Sequence, residues 1–170
     1  LVIFFWEKKK ALFPFLIAAV LLGLLYGAMR ATRSYSQSRA VGVALAAVKS
    51  GQKALKEKKY EEAIGWYQGV ADNSYSSPLL RITASQNLAL ACLEKGEHDR
   101  AIAILEKLSR DPQNASPEYS RLLLARSYEV KGERSKAREL YKTLASGVTA
   151  AGSADSAVQS EAKERLKWFE

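Results

Sequence analysis

Among its 170 residues the chain has one cysteine, Cys92, and one histidine, His98. An intramolecular disulfide is thereby excluded, and no transition-metal ligand set is expected. Strand-like alternation is nearly missing. So are a phosphate-binding glycine loop, a nucleophile elbow and a metalloprotease signature. Acid is scarce at the start. Residues 1–50 carry seven Lys or Arg and a single acid, Glu7. Residues 51–170 carry 19 bases and 17 acids, so the formal charge of +8 resides mainly in the first segment. A DNA-binding domain concentrates basic charge on its folded part. Nucleic-acid binding is therefore not expected, nor is a cofactor or an enzymatic activity.

What is present begins with an uncharged apolar run, Ala11 to Met29, 19 residues long. At 1.5 Å rise per residue that length is enough for a bilayer core of about 30 Å. It predicts a transmembrane helix over 11–30. Glu7-Lys8-Lys9-Lys10 precedes it, and Arg30, Arg33 and Arg39 follow. Lys8, Lys9, Lys10, Arg30 and Arg33 are placed to meet anionic lipid. Leu1 to Trp6 either lies in the interface, with Trp6 at headgroup depth, or continues the spanning helix or frays. Pro14 falls in the first turn, where a missing N–H costs least. Within the run Ala19, Gly23, Gly27 and Ala31 recur every four residues. They form a strip of small side chains along which another membrane helix could pack. The chain begins at Leu1 rather than Met, so its true N-terminus is expected upstream.

The segment from Arg30 to Lys49 contains no proline. It either lengthens the first helix or hinges at Ser34–Ser38. After it, helical patterns alternate with turn-forming breaks at Tyr75–Pro78, Asp111–Asn114 and Ala145–Ser156. A last helix is expected over 155–170, capped by Asp155 or Ser156, with Val158, Ala162, Leu166 and Phe169 on one face. The expected organisation is a pre-membrane segment (1–10), the spanning helix (11–30), a connector (31–42) and an all-α repeat domain (43–170).

The repeat is visible in KEKKYEEAIGWY, LEKGEHDRAIAIL and EVKGERSKARELY. In each, a polar turn is followed by a small residue, Ala63, Ala101 or Ala137. An aromatic residue or leucine comes four residues later: Tyr67, Leu105 or Tyr141. Gly96 and Gly132 suit the left-handed residue that ends a helix. In the first copy Lys58 takes that place. Alanine fits where a second helix approaches the first closely. The residue one turn on shares its face and fills the gap to the next unit. One helix pair cannot cover its own apolar face, but three stacked pairs closed by a last helix can.

These residues resemble the tetratricopeptide repeat over about Val43 to Ser146. The resemblance implies a solenoid of about three helix pairs whose first helices line a groove. The groove residues it implies are Leu45, Val48, Gln52 and Leu55, then Thr83, Gln86, Leu90 and Leu93, then Tyr119, Leu122, Arg126 and Val130. Their largely apolar character fits a helix or an unfolded segment of a protein partner. His98 reads as a solvated turn residue and Cys92 as a small core residue.

The wider arrangement is similar to the YfgM-like ancillary subunits of the bacterial Sec translocon. Phe5-Trp6-Glu7-Lys8-Lys9-Lys10 precedes an apolar run, and a repeat domain follows. This resemblance implies a bacterial inner-membrane protein with a periplasmic repeat domain, accessory to translocation or to periplasmic chaperones. Flanking charges alone leave a cytoplasmic repeat domain open. The alternative function is a scaffold subunit of a respiratory or motility complex without client binding.

Overall fold

The structure, a computed structural model, describes residues 2–149, 152–153 and 155–169; side chains are described from residue 18 on, except for 37 and 148–154. The chain divides into two units, 1–40 and 41–170. Helix α1 (Val2–Lys56) begins in the first and ends in the second.

Among the described residues no helix is long and apolar enough to cross a membrane. This corrects the expected transmembrane helix over 11–30. The part of the run with described side chains, Ala18 to Met29, covers only about 18 Å before Arg30 charges the helix. Residues 11–17, together with Trp6, Lys8, Lys9 and Lys10, lie outside the described side chains. The strip of Ala19, Gly23, Gly27 and Ala31 is exposed. A methyl group added at Gly23 or Gly27 would meet nothing within 4 Å. The serine-rich stretch is helical and does not break. Its hydroxyls bond back to the preceding turn, Thr32 Oγ1 to the Ala28 and Met29 carbonyls at 3.1 and 2.9 Å and Ser38 Oγ to Ser34 O at 3.0 Å. Side chains satisfied this way stop competing with the helix for its backbone.

The second unit is a helical, tetratricopeptide-like solenoid. After the end of α1 come α2 (Tyr60–Ala71), α3 (Pro78–Lys95), α4 (His98–Ser109), α5 (Pro117–Lys131), α6 (Arg134–Ala145) and α7 (Ser156–Leu166). Each helix from α2 to α7 packs on the next. The first helices also meet, α3 against α5 and α5 against α7. A short antiparallel pair, β1 (Val148–Thr149) and β2 (Gly152–Ser153), fills the α6–α7 connection, and a 3-10 turn at Lys167–Phe169 follows α7.

Local chemistry explains the boundaries. Pro78 and Pro117 stand at the starts of α3 and α5, where the missing N–H breaks no bond. Ser77 Oγ accepts from Leu80 N at 3.3 Å, and Asp155 Oδ1 accepts from Ala157 N at 3.0 Å. The three tight turns close identically. Gly96 N donates to Leu93 O and Glu97 N to Cys92 O; Gly132 N donates to Glu129 O and Glu133 N to Tyr128 O. In the first turn Lys58 N donates to Leu55 O and Lys59 N to Ala54 O. A left-handed residue follows three of the helices, Gly96 and Gly132 directly after α3 and α5 with φ of +90° and +88°, and Lys58 two places after α1 with φ of +60°. Lysine thus adopts the glycine conformation, at a cost of about 1–2 kcal/mol.

The core is built from the same positions in successive units. Ala63, Ala101 and Ala137 are fully buried, as are Tyr67, Leu105 and Tyr141. Opposite them on the first helices stand Gly51, Ala89 and Ala125. Ala162 of α7 continues this series at a similar spacing and is also fully buried. Helix α7 is therefore a further first helix. Val158 lies beside Ala162 in the core, with Leu166 and Phe169 packed partly against it.

Candidate interaction groove

The residues expected to line a groove separate into three groups. Leu45, Tyr119 and Val130 are exposed at 53%, 39% and 62%, and Gln52 is exposed as well. Leu55, Thr83, Leu90 and Leu93 are half-buried. Val48 and Leu122 belong to the core, Leu122 with 2% of its surface left. A partner could not touch Leu122 without opening the domain. Its position on the first helix is the same as that of Val48 and Gln86, all three turned into the space between neighbouring units.

The remaining two polar members are engaged within the chain. Gln86 is buried, and its Nε2 donates to Ser120 Oγ at 3.0 Å. The same Ser120 oxygen accepts from Asn114 Nδ2 at 3.0 Å, and that amide also donates to Leu108 O at 2.9 Å. Asn114 Oδ1 in turn accepts from Ser116 N at 2.9 Å. Buried amides need such partners, and here they tie the α4–α5 loop to α3. Arg126 is ion-paired to Glu161 of α7. What stays available is a lane of aliphatic and aromatic side chains with Gln52 and Thr83 beside it.

The turns carry a second regularity. Lys95 Nζ lies 2.6 Å from Glu97 Oε1 and 3.3 Å from Glu61 of the preceding unit. One unit on, Lys131 Nζ lies 2.8 Å from Glu133 and 2.7 Å from Asp99. Arg100 and Lys136 close on Glu97 and Glu133 at 3.0 and 2.6 Å. The Lys95 ammonium, then Arg100, holds the Glu97 carboxyl below the usual range; Lys131, then Lys136, does the same to Glu133. These pairs are solvated and individually weak. Their value is register, because each turn lysine reaches back to an acid on the previous second helix. The sequence signal of this ladder is the recurrence of Lys95 with Glu97 and Lys131 with Glu133 at the repeat spacing.

Among the described residues no group of three or more His, Cys, Asp or Glu could hold a metal ion. Cys92 is fully buried, and desolvation pushes its thiol pKa up, away from the reactive thiolate. His98 opens α4 with its Nδ1 buried and unpartnered.

Residues 84–116 match a tetratricopeptide repeat. The matched stretch runs from within α3, through the Gly96 turn and α4, to Ser116. It therefore holds the second helix pair, the copy with Leu88, Ala89, Gly96 and Ala101 in place. Repeats of this type generally bind protein partners, and the match points to protein–protein interaction and to no enzyme family. No curated protein and no solved structure matches the chain.

Proposed function

We propose that the repeat domain holds an apolar segment of a protein partner in the groove along its first helices. The observation that carries this is the set of side chains the chain leaves uncovered there: Leu45, Tyr119 and Val130 exposed, with Leu55, Leu90 and Leu93 half-buried behind them. Burying apolar surface is worth roughly 25 cal/mol per Å² before the costs of association. A few such side chains therefore support selective but modest binding. In the finer reading the partner belongs to protein export in the bacterial envelope, with the repeats on the periplasmic side. The sequence resemblance to YfgM-like translocon subunits supports that assignment.

Photo-crosslinking probes at Leu90 and Tyr119 of the full chain, followed by mass spectrometry, test both levels. Varied secretory or chaperone proteins are the expected captures. One fixed set of unrelated membrane-complex subunits would replace the export reading with the scaffold one. Crosslinks that come only from outer-face positions such as Ala103 would overturn the groove itself.

A further inference from the structure

In a stacked array each helix pair covers one side of its neighbour. Gln86 of α3 reaches forward to Ser120 of α5, and Arg100 Nη2 of α4 reaches back to Gln68 Oε1 of α2 at 2.7 Å. Ser120 and Arg100 therefore stand on the side that a pair turns to the pair before it. Ile104 stands there too, sharing a pocket with Ala71 of α2. Ala84 occupies on α3 the place of Ser120 on α5. Ala84 is fully buried, and Ile104 is packed against the core.

The pair formed by the end of α1 with α2 has the same side, and there it is exposed. Counting from Gly51 and Ala63 as from Ala89 and Ala101, Ala46 stands in the place of Ala84, Glu62 in that of Arg100 and Trp66 in that of Ile104. All three are exposed, Trp66 at 43%. On α6 the place of Trp66 is held by Leu140, which packs inward. Gly42 and Lys49, one turn either side of Ala46, are exposed as well, and a Cβ added at Gly42 would meet nothing within 4 Å. Residues 2–40 prolong α1 itself and form no earlier helix pair. Lys49 has no salt bridge among the described residues, whereas Lys53, one turn on, is paired with Glu57 at 3.9 Å. Glu62 feels Lys59, but that ammonium is held by Glu57 at 2.7 Å.

We infer that this face binds the same face of a second copy of the chain. The reason is self-complementarity. The face carries an aromatic ring on α2 and a flat floor of Gly42 and Ala46 on α1. It also carries an acid on α2, Glu62, and an unpaired base on α1, Lys49. A twofold axis that lays α1 of each copy on α2 of the other sets each ring on a floor and each Lys49 beside a Glu62. The two buried indoles supply most of the affinity, and the two charge pairs fix the register.

The test is sedimentation velocity of the full chain over a range of concentrations, with the variants Lys49→Glu, Glu62→Lys and Trp66→Ser. The unaltered chain is expected to dimerise. Lys49→Glu sets acid against acid at both contacts and Glu62→Lys sets base against base, so each alone should weaken the dimer by roughly tenfold. Mixed in equal amounts, these two variants should regain the original affinity, because each supplies the charges that the other lacks. Trp66→Ser should remove the dimer. All three residues are exposed, and an unchanged circular dichroism spectrum confirms that the variants fold. An unaltered chain that stays monomeric would overturn the inference. A dimer that survives all three variants would overturn it too, and would place self-association elsewhere, such as the exposed apolar part of α1. A mixture of the two charge variants that regains nothing would refute the twofold pairing.

Discussion

Gly51 is the residue whose replacement by alanine tests the packing most sharply. A Cβ placed there would lie 2.7 Å from Tyr67 Cε1, 2.9 Å from Cζ and 3.0 Å from Cδ1. Ordinary carbon contacts are about 3.5–4.0 Å, so the methyl would overlap three ring atoms by up to about 1 Å. The Tyr67 ring is fully buried. Overpacking of this kind costs about 1–3 kcal/mol. Replacing a mid-helix glycine by alanine returns about 0.5–1 kcal/mol. The expected net effect of Gly51→Ala is a destabilisation of about 1–2 kcal/mol. Gly65 and Gly69 of α2 provide the controls. They are exposed, and an added Cβ at either meets nothing within 4 Å. Alanine at each should stabilise by about 0.5–1 kcal/mol. Urea unfolding followed by circular dichroism at 222 nm reads all three. The double variant Gly51→Ala/Tyr67→Leu should recover part of the loss, because the two sites couple through one contact. Three stabilising substitutions of similar size would refute the placement of the Tyr67 ring against α1.

Lys58→Gly should stabilise by about 1 kcal/mol by relieving a left-handed lysine, whereas Gly96→Ala should cost about as much although its Cβ would touch nothing; thermal melts of the two variants check the opposite signs. Tyr141 Oη donates to Glu129 Oε2 at 2.7 Å, while the buried Tyr67 hydroxyl has no partner. Tyr141→Phe should therefore destabilise by about 1–2 kcal/mol and Tyr67→Phe should be neutral or stabilising; equal losses in urea unfolding would contradict that assignment. Burial and the Glu106 carboxylate push Tyr128 up to about 12, and burial raises Tyr67 and Tyr141 as well. A raised phenol pKa favours the protonated folded state, so this stability is complete below pH 10 and is lost as the pH rises from about 10 to 12. Absorbance at 295 nm should show these three of the eight tyrosines ionising late and together with loss of helicity; all eight titrating together near pH 10 in a folded chain would count against it.

The helix pairs were legible because two independent patterns coincide, left-handed turn residues and small residues at the repeat spacing. Lys58 shows the strength of the second. Its turn has the same two hydrogen bonds as the glycine turns, so the surrounding contacts impose the conformation on an unfavourable residue. The groove was only half legible. Position along a repeat says which face a residue is on, not what its neighbour does. Leu122 was read as groove, and its place between units buries it. Gln86 was read as a groove amide, and its partner Ser120 lies 34 residues away. The length of the apolar run suggests a bilayer span, but among the described residues no helix is long and apolar enough for one. The β1–β2 pair gave no sequence signal, since two residues per strand are too few for alternation to register.

Helix α7 shows how neighbours decide what a repeat position means. Leu88 and Leu124 occupy one position of the inner first helices, and Cys92 and Tyr128 occupy the position one turn later; all four are buried. In α7 the same two positions hold Glu161 and Arg165. Both stay charged because they pair sideways, Glu161 to Arg126 and Arg165 to Glu129, and fasten α7 to α5. The pairing spends the Arg126 guanidinium, the charged member of the expected groove, on internal structure. What the groove offers a partner is then the apolar surface of Leu45, Tyr119 and Val130.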